Sequence, residues 1–166
     1  LLIISDVAVI PLPDFKQKMV QIGYLARTAN LLGIATPKIA CIAPSEQLLP
    51  NVISSTEGAL LAKMADRGQL GNVVVDGPLS LDVALYKEVA EHKKVKGSSV
   101  AGDPDCLLFP NLESANVFFK SVTHLCGGEL AAMVMGTKVP CVLTSRGDTS
   151  KTKLYSIALA CLAVKK

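Results

Sequence analysis

The chain has 166 residues, half of them apolar but only 4% aromatic and none Trp, and its 14 acidic and 17 basic residues leave a formal charge of +3. That length allows one sizeable core, and the charge is too small to argue for nucleic acid as a partner. No apolar run approaches the about 18 residues a membrane span requires, so no membrane partner is expected either.

Leu1-Leu2-Ile3-Ile4 meets Asp6 before an export core can form, so the start reads as a strand (1–5) and not as a signal peptide. A chain that opens on Leu in mid-strand suggests part of a longer polypeptide. A helix over 14–32 follows, with Gly33 as its C-cap, and Pro37 introduces a strand over 38–43. Ser54-Ser55-Thr56-Glu57 reads as a capping box opening a helix over 55–67. A strand over 72–76 runs into Asp76-Gly77-Pro78, and a helix over 80–92 comes next. The loop 95–104, VKGSSVAGDP, is the most flexible candidate. A strand over 105–109 is followed by Asn111 as N-cap of a helix over 112–125. Two short strands, 132–135 and 140–144, precede a last helix over 150–164, and Lys165-Lys166 reads as a solvated end.

This alternation predicts a layered α/β/α fold with a largely parallel sheet, and a Val-, Ile-, Leu- and Ala-built core suits strands buried on both faces. Cys41, Cys106, Cys126, Cys141 and Cys161 are odd in number, lack metal-ligand spacing and mostly sit in apolar runs. They read as buried, reduced thiols of a cytoplasmic protein.

Three predicted strands end alike, in an apolar run, a polar cluster and a helix: VVVDGP (73–78), CLLFPNLESAN (106–116) and CVLTSRGD (141–148). Carboxyl ends of parallel strands share an edge where ligands bind, and helix N-termini there favour anions. Each cluster also has a plainer reading. Asp76 can close an Asx turn, Asn111 and Glu113 can cap and charge a first helical turn, and Lys120 can be a surface residue. In Ser145-Arg146-Gly147-Asp148 a turn needs Gly147 and a cap needs Asp148 or Thr149, but neither needs Arg146, whose planar fork suits phosphate or carboxylate. His92 and His124 have no nearby acidic or nucleophilic partner in sequence, so no triad or metal site follows. There is no GxGxxG and no Walker sequence.

The segments KMADRGQ (63–69), VVVDGPLSLDVAL (73–85), LLFPNLESANVFFKS (107–121) and VPCVLTSRGDTSKTKLYSIALA (139–160) resemble, in order and spacing, the phosphotransacylases. The likeness is strongest to the phosphate butyryltransferase branch, within a wider family that includes phosphate acetyltransferase. The resemblance implies reversible transfer of a short, straight or branched acyl group between CoA and inorganic phosphate, with CoA as substrate and no tightly bound cofactor or metal. It implies a two-domain cleft fold like that of isocitrate and isopropylmalate dehydrogenases. This chain would supply the C-terminal part of it, with 140–166 packing on an N-terminal domain.

By the same resemblance, Ser145 and Arg146 hold the reacting acyl group and phosphate, and Asp148 stands where the butyryl branch has an Asp, with Gly147 in place of the usual Ala. Asp76, Gly77, Asn111, Glu113, Asn116 and Lys120 match elements on the substrate side of the cleft. The acetyl branch places an Asp several residues beyond the Ser-Arg pair, where this chain has Lys151 and Thr152. Chemically, Asp148 would take the thiol proton, Ser145 or adjacent amides would steady the oxyanion, and Arg146 would hold the departing phosphate. A non-catalytic acyl-CoA-sensing domain of the same type is the alternative, and a decarboxylating dehydrogenase lacks a visible metal-binding Asp cluster. The high apolar content favours a homo-oligomer.

Overall fold

The computed structural model describes residues 1–164, so the expected solvated end Lys165-Lys166 lies outside the described residues. The chain divides into two compact units, Leu1–Asn116 and the remainder from Val117.

The first unit is built on four strands, β1 (Ile3–Ser5), β2 (Lys38–Ile42), β3 (Val74–Leu79) and β4 (Cys106–Leu108). They pair in the order β1-β4-β2-β3, and every pairing is parallel. β4 is therefore the centre of the sheet's first half: Cys106 stands opposite Ile3 on one side and Ile39 on the other. Between β1 and β2 runs α1 (Phe15–Leu31), and between β2 and β3 runs α2 (Ile53–Asp66). Between β3 and β4 the chain forms α3 (Leu81–Leu85) and α4 (Lys87–His92), and α5 (Leu112–Leu125) follows β4.

Strand periodicity assigns the two faces. Ile39, Cys41, Val75, Cys106 and Leu108 form one cluster with Ile22, Leu25 and Ala29 of α1 and Leu61 of α2. The alternate residues Ala40 and Leu107 face the other way and are equally buried, so both faces are covered. The connections from β1 to β2 and from β2 to β3 move one way along the sheet, while that from β3 to β4 moves back. Right-handed crossovers then put α1 and α2 on one face and α3 and α4 on the other. The expectation of an α/β fold with a parallel sheet is met.

Several local expectations change. Asp14 and Gln17 form the capping box at α1, each side chain accepting the other's backbone N–H at 2.8 Å. The predicted box at Ser54–Glu57 does not form, because α2 already starts at Ile53. Ser55 Oγ instead accepts from Leu49 N–H at 2.8 Å and donates to Gln47 O at 3.1 Å, and Glu57 pairs with Lys18. The predicted helix 80–92 breaks at Tyr86, which is extended at φ −122° and ψ 117°. The loop proposed as flexible is anchored: Val100 is fully buried, and Ser98 Oγ accepts from the N–H groups of Val100 and Ala101.

Gln21 of α1 is 3% exposed, and neither of its side-chain amide atoms has a hydrogen-bond partner. A buried, unpaired amide costs about 1–3 kcal/mol, and an apolar group of similar shape removes that cost. Gln21→Met is expected to raise the unfolding free energy by about 1 kcal/mol, read from denaturant midpoints at unchanged slope. A lower midpoint would show that the amide is paired in solution.

At the carboxyl edge, Lys93 Nζ reaches Asp82 Oδ2 at 3.0 Å, Ser80 Oγ at 3.2 Å and Glu46 Oε2 at 3.4 Å. The Ser80 hydroxyl first, and Lys93 second, hold the Asp82 carboxyl down at about 2. A depressed folded value gives stability that is present above the ordinary aspartate range and lost as pH falls from near 3.8 through about 2. Asp82 is half exposed, so the contribution is small. The melting-temperature difference between wild type and Asp82→Asn is expected to be largest at pH 6 and to shrink as pH falls from near 3.8 toward 2. A difference of undiminished size at pH 2 would assign it to something other than the ionised carboxyl.

The second unit contains α6 (Ser150–Leu162), capped by Thr149, whose Oγ1 accepts from Thr152 N–H at 3.1 Å. The strands predicted at 132–135 and 140–144 are reduced to one antiparallel bridge, Val134 with Cys141. An isolated pair of short strands is marginal without a sheet to join. Val139 and Leu143 accordingly stay exposed, as do Leu154, Ile157 and Leu162 of α6. Ser156 Oγ anchors the helix by accepting from Ala132 N–H at 3.0 Å. No helix among the described residues is long and apolar enough to cross a membrane.

Candidate functional site

The carboxyl edge of the first unit's sheet carries two of the three predicted clusters. Asp76-Gly77-Pro78 does not end its strand, as expected, but lies inside β3, which continues to Leu79 and pairs beside β2 through a register shift between Ala40 and Ile42. Asp76 Oδ1 accepts from the N–H of the next residue, Gly77, at 2.8 Å, so the Asx turn of the plainer reading, whose bond spans two residues, is not the bond formed. Gly77 is required by space. A Cβ there would lie 2.6 Å from Cys41 Cβ, and one on Gly58 of α2 would lie 3.3 Å from both Cys41 Cβ and Pro78 Cα.

Gly77→Ala therefore forces two Cβ atoms together in a rigid strand pair, and overpacking of this kind costs about 1–3 kcal/mol. The expected loss of stability is restored when Cys41→Gly removes the opposing Cβ, as a double-mutant cycle would show. Additive losses would place the effect elsewhere.

Burial first, and the Asp76 charge second, push the Cys41 thiol up to about 12, and burial does the same to Cys106. Neither forms a thiolate at neutral pH. Three other cysteines depart from expectation: Cys126, Cys141 and Cys161 are free and exposed. They belong to the second unit, where little of the chain is packed away.

At the end of β4, Asn111 caps α5 as predicted, its Oδ1 accepting from Ser114 N–H at 2.9 Å. Glu113 is exposed in the first turn, where a carboxylate complements the helix dipole. Asn116 Nδ2 donates to Val7 O at 2.9 Å, so this side chain ties α5 to the segment after β1. Lys120 falls in the second unit, exposed, with its ammonium 5.0 Å from the centre of the Phe119 ring.

The third cluster also lies in the second unit and follows no sheet strand. Asp148 Oδ2 accepts from Ser145 N–H at 2.6 Å, and Asp148 N–H donates to Ser145 O at 3.1 Å. These bonds lock a turn at the head of α6. They also commit the Ser145 amide, which removes it as an oxyanion donor while leaving the Ser145 hydroxyl free to donate. Gly147 is not needed by this turn, contrary to expectation: its φ is not positive and a Cβ would meet nothing within 4 Å. Arg146 is exposed and, among the described residues, makes no hydrogen bond or ion pair.

Sequence reasoning missed one group at the sheet edge. Lys18 of α1 is 5% exposed and pairs with Glu57 of α2, lining a small cleft with Cys41, Gly58, Phe109 and Pro110. The signal was present. Lys18 occupies the same helical stripe as Ile22, Leu25 and Ala29, where a charge requires a buried partner.

The family model described as "Phosphate acetyl/butaryl transferase" matches residues 1–161. The chain is 44% identical over 162 residues to a phosphate butyryltransferase of Clostridium acetobutylicum, covering 98% of this chain and 54% of that protein. It is 42% identical over 159 residues to a phosphate acetyltransferase of Thermotoga maritima, covering 96% and 54%. A crystal structure of a branched-chain phosphotransacylase from Enterococcus faecalis V583 superposes with a TM-score of 0.88 at 31% identity, over 96% of this chain and 56% of the other. The chain spans about half the length of the curated relatives it matches.

Proposed function

The chain belongs to the phosphate acetyl/butaryl transferase family, and from that premise we propose that it carries the reacting groups for acyl-CoA + phosphate = acyl phosphate + CoA, acting on short straight or branched acyl chains. One observation supports this above the rest. A guanidinium without a partner among the described residues is presented from a turn whose own hydrogen bonds are already satisfied by Ser145 and Asp148.

In the direction of CoA acylation, Asp148 takes the thiol proton on the carboxylate oxygen not used by the turn, and the thiolate attacks the acyl phosphate carbonyl. The Ser145 hydroxyl donates to the oxyanion, and collapse of the tetrahedral intermediate breaks the bond to phosphate, which leaves against Arg146. No covalent acyl-enzyme is needed, and the high thiol values of Cys41 and Cys106 favour that route.

Asp76, Gly77, Glu113 and Lys120 are assigned to the substrate side, with Asn111 and Asn116 acting by fixing the start of α5. We place the reaction in a two-domain cleft of the isocitrate dehydrogenase type, with the segment from 140 onward packing on a further domain. Exposed Leu143, Leu154, Ile157 and Leu162 support that packing. A cytoplasmic homo-oligomer using CoA as substrate, without a tightly bound cofactor, completes the reading.

The test is phosphate-dependent release of free thiol from acetyl-, butyryl- and isobutyryl-CoA by the full-length protein. Turnover with at least one of them is expected. Acyl-CoA binding with no turnover would replace the transferase by a sensing domain.

A further inference from the structure

The Lys18–Glu57 pair is buried at Lys18 and partly buried at Glu57, at 6% and 20% side-chain exposure, and joins α1 to α2 above the carboxyl ends of β2 and β4. Stability alone does not account for it. Desolvating two charges offsets much of their attraction, and well-packed apolar replacements of such pairs are often neutral or stabilising. Its placement suggests another use. The residue after Glu57 is Gly58, whose missing Cβ lets α2 seat closely on Pro78 and Cys41: a Cβ there would lie only 3.3 Å from Pro78 Cα and from Cys41 Cβ. On its other side the pair shares a cleft with Phe109 and Pro110, the two residues that lead β4 into Asn111. One ion pair thus adjoins both segments that carry the predicted substrate-side residues of the first unit.

We propose that Lys18 and Glu57 are positioning residues: by fixing α2 against α1 they hold Asp76-Gly77-Pro78 and the turn from β4 into α5 in the arrangement that acyl transfer uses. The proposal rests on the transferase reading for its catalytic consequence, but the positioning itself is measurable without turnover. A slide of α2 along the sheet by a fraction of a turn would press Gly58 into Pro78 on one side or open the cleft beside Pro110 on the other. A charge pair resists such sliding because its energy depends steeply on distance at low local dielectric. An apolar contact of equal area tolerates sliding, because dispersion and burial are not directional.

The experiment uses the full-length protein. Lys18→Met alone strands a partly buried carboxylate and can prevent folding, so it is combined with Glu57→Leu, which removes both charges. Three quantities are read: the melting temperature, amide hydrogen exchange over 41–43, 76–79 and 109–112, and steady-state kinetics of phosphate-dependent CoA release. The double variant is expected to melt at or above the wild-type temperature, to exchange faster in those three segments, and to lose about tenfold in kcat with KM for acyl-CoA little changed. Wild-type exchange in those segments overturns the positioning role, whatever the kinetics show. Faster exchange with unaltered kcat overturns its link to the reaction. If the wild-type protein itself releases no CoA while the variant exchanges faster, the transferase reading fails and the pair stands as a clamp on the sheet edge.

Discussion

Replacing Arg146 by alanine is expected to slow phosphate-dependent CoA release by about 10²–10³-fold, the range seen when one preorganised donor is removed from an active site. The size follows from the charge that must be met. Phosphate departs as an anion from a carbonyl centre, and the guanidinium offers two parallel donors in a plane that matches two phosphate oxygens. Arg146 makes no hydrogen bond or ion pair among the described residues, so its loss removes no contact seen in the structure, and the melting temperature should not move. Arg146→Lys keeps the charge but not the fork, and should recover only part of the rate. Near-normal turnover by the alanine variant in the full-length protein would reduce the Ser145–Asp148 cluster to a structural turn.

The second large effect is expected at Asp148, where two roles meet in one carboxylate. Oδ2 is held by the Ser145 amide, and the other oxygen is left for the thiol proton. Asp148→Asn keeps an acceptor for that amide and loses the base. Its kcat should fall by about 10²–10⁴-fold while stability and the KM for acyl-CoA stay close to wild type. Asp148→Ala loses both roles and should in addition melt earlier. If Asn and Ala variants have the same turnover as wild type and differ only in melting, Asp148 is a turn residue and the base lies elsewhere.

The alternation of apolar runs with amphipathic stretches was enough to read an α/β fold, because both periods are local properties of the chain. Locality also explains which site contacts were legible. Asn111 capping α5 and Asp148 closing its own turn involve residues three apart. Lys18 finds its partner 39 residues away, and no short window contains that information. The Ser54–Glu57 pattern shows the hazard: it matches a capping box in spacing, yet the distant cation claims Glu57 and the helix has already begun. Gly77 reads as a turn glycine in sequence, whereas its need comes from Cys41 on the neighbouring strand. The predicted strands at 132–135 and 140–144 failed for a related reason. β propensity forms a strand only where a sheet edge receives it.

The strand order bears on how the chain acquires its fold during synthesis. β2, α2 and β3 follow one another and are neighbours in space, so this portion can assemble as it leaves the ribosome. β1 has no such opportunity, because its partner among the described residues is β4, with Ile3 opposite Cys106, which enters between β1 and β2. Until residues 106–108 arrive, the inner edges of two apolar strands stay open side by side, and pairing them directly would shut out the strand that belongs there. Parallel, long-range closures of this kind are slow and leave edges exposed to other chains. A three-residue strand, Cys106–Leu108, thus governs when the two open edges of the nascent sheet close.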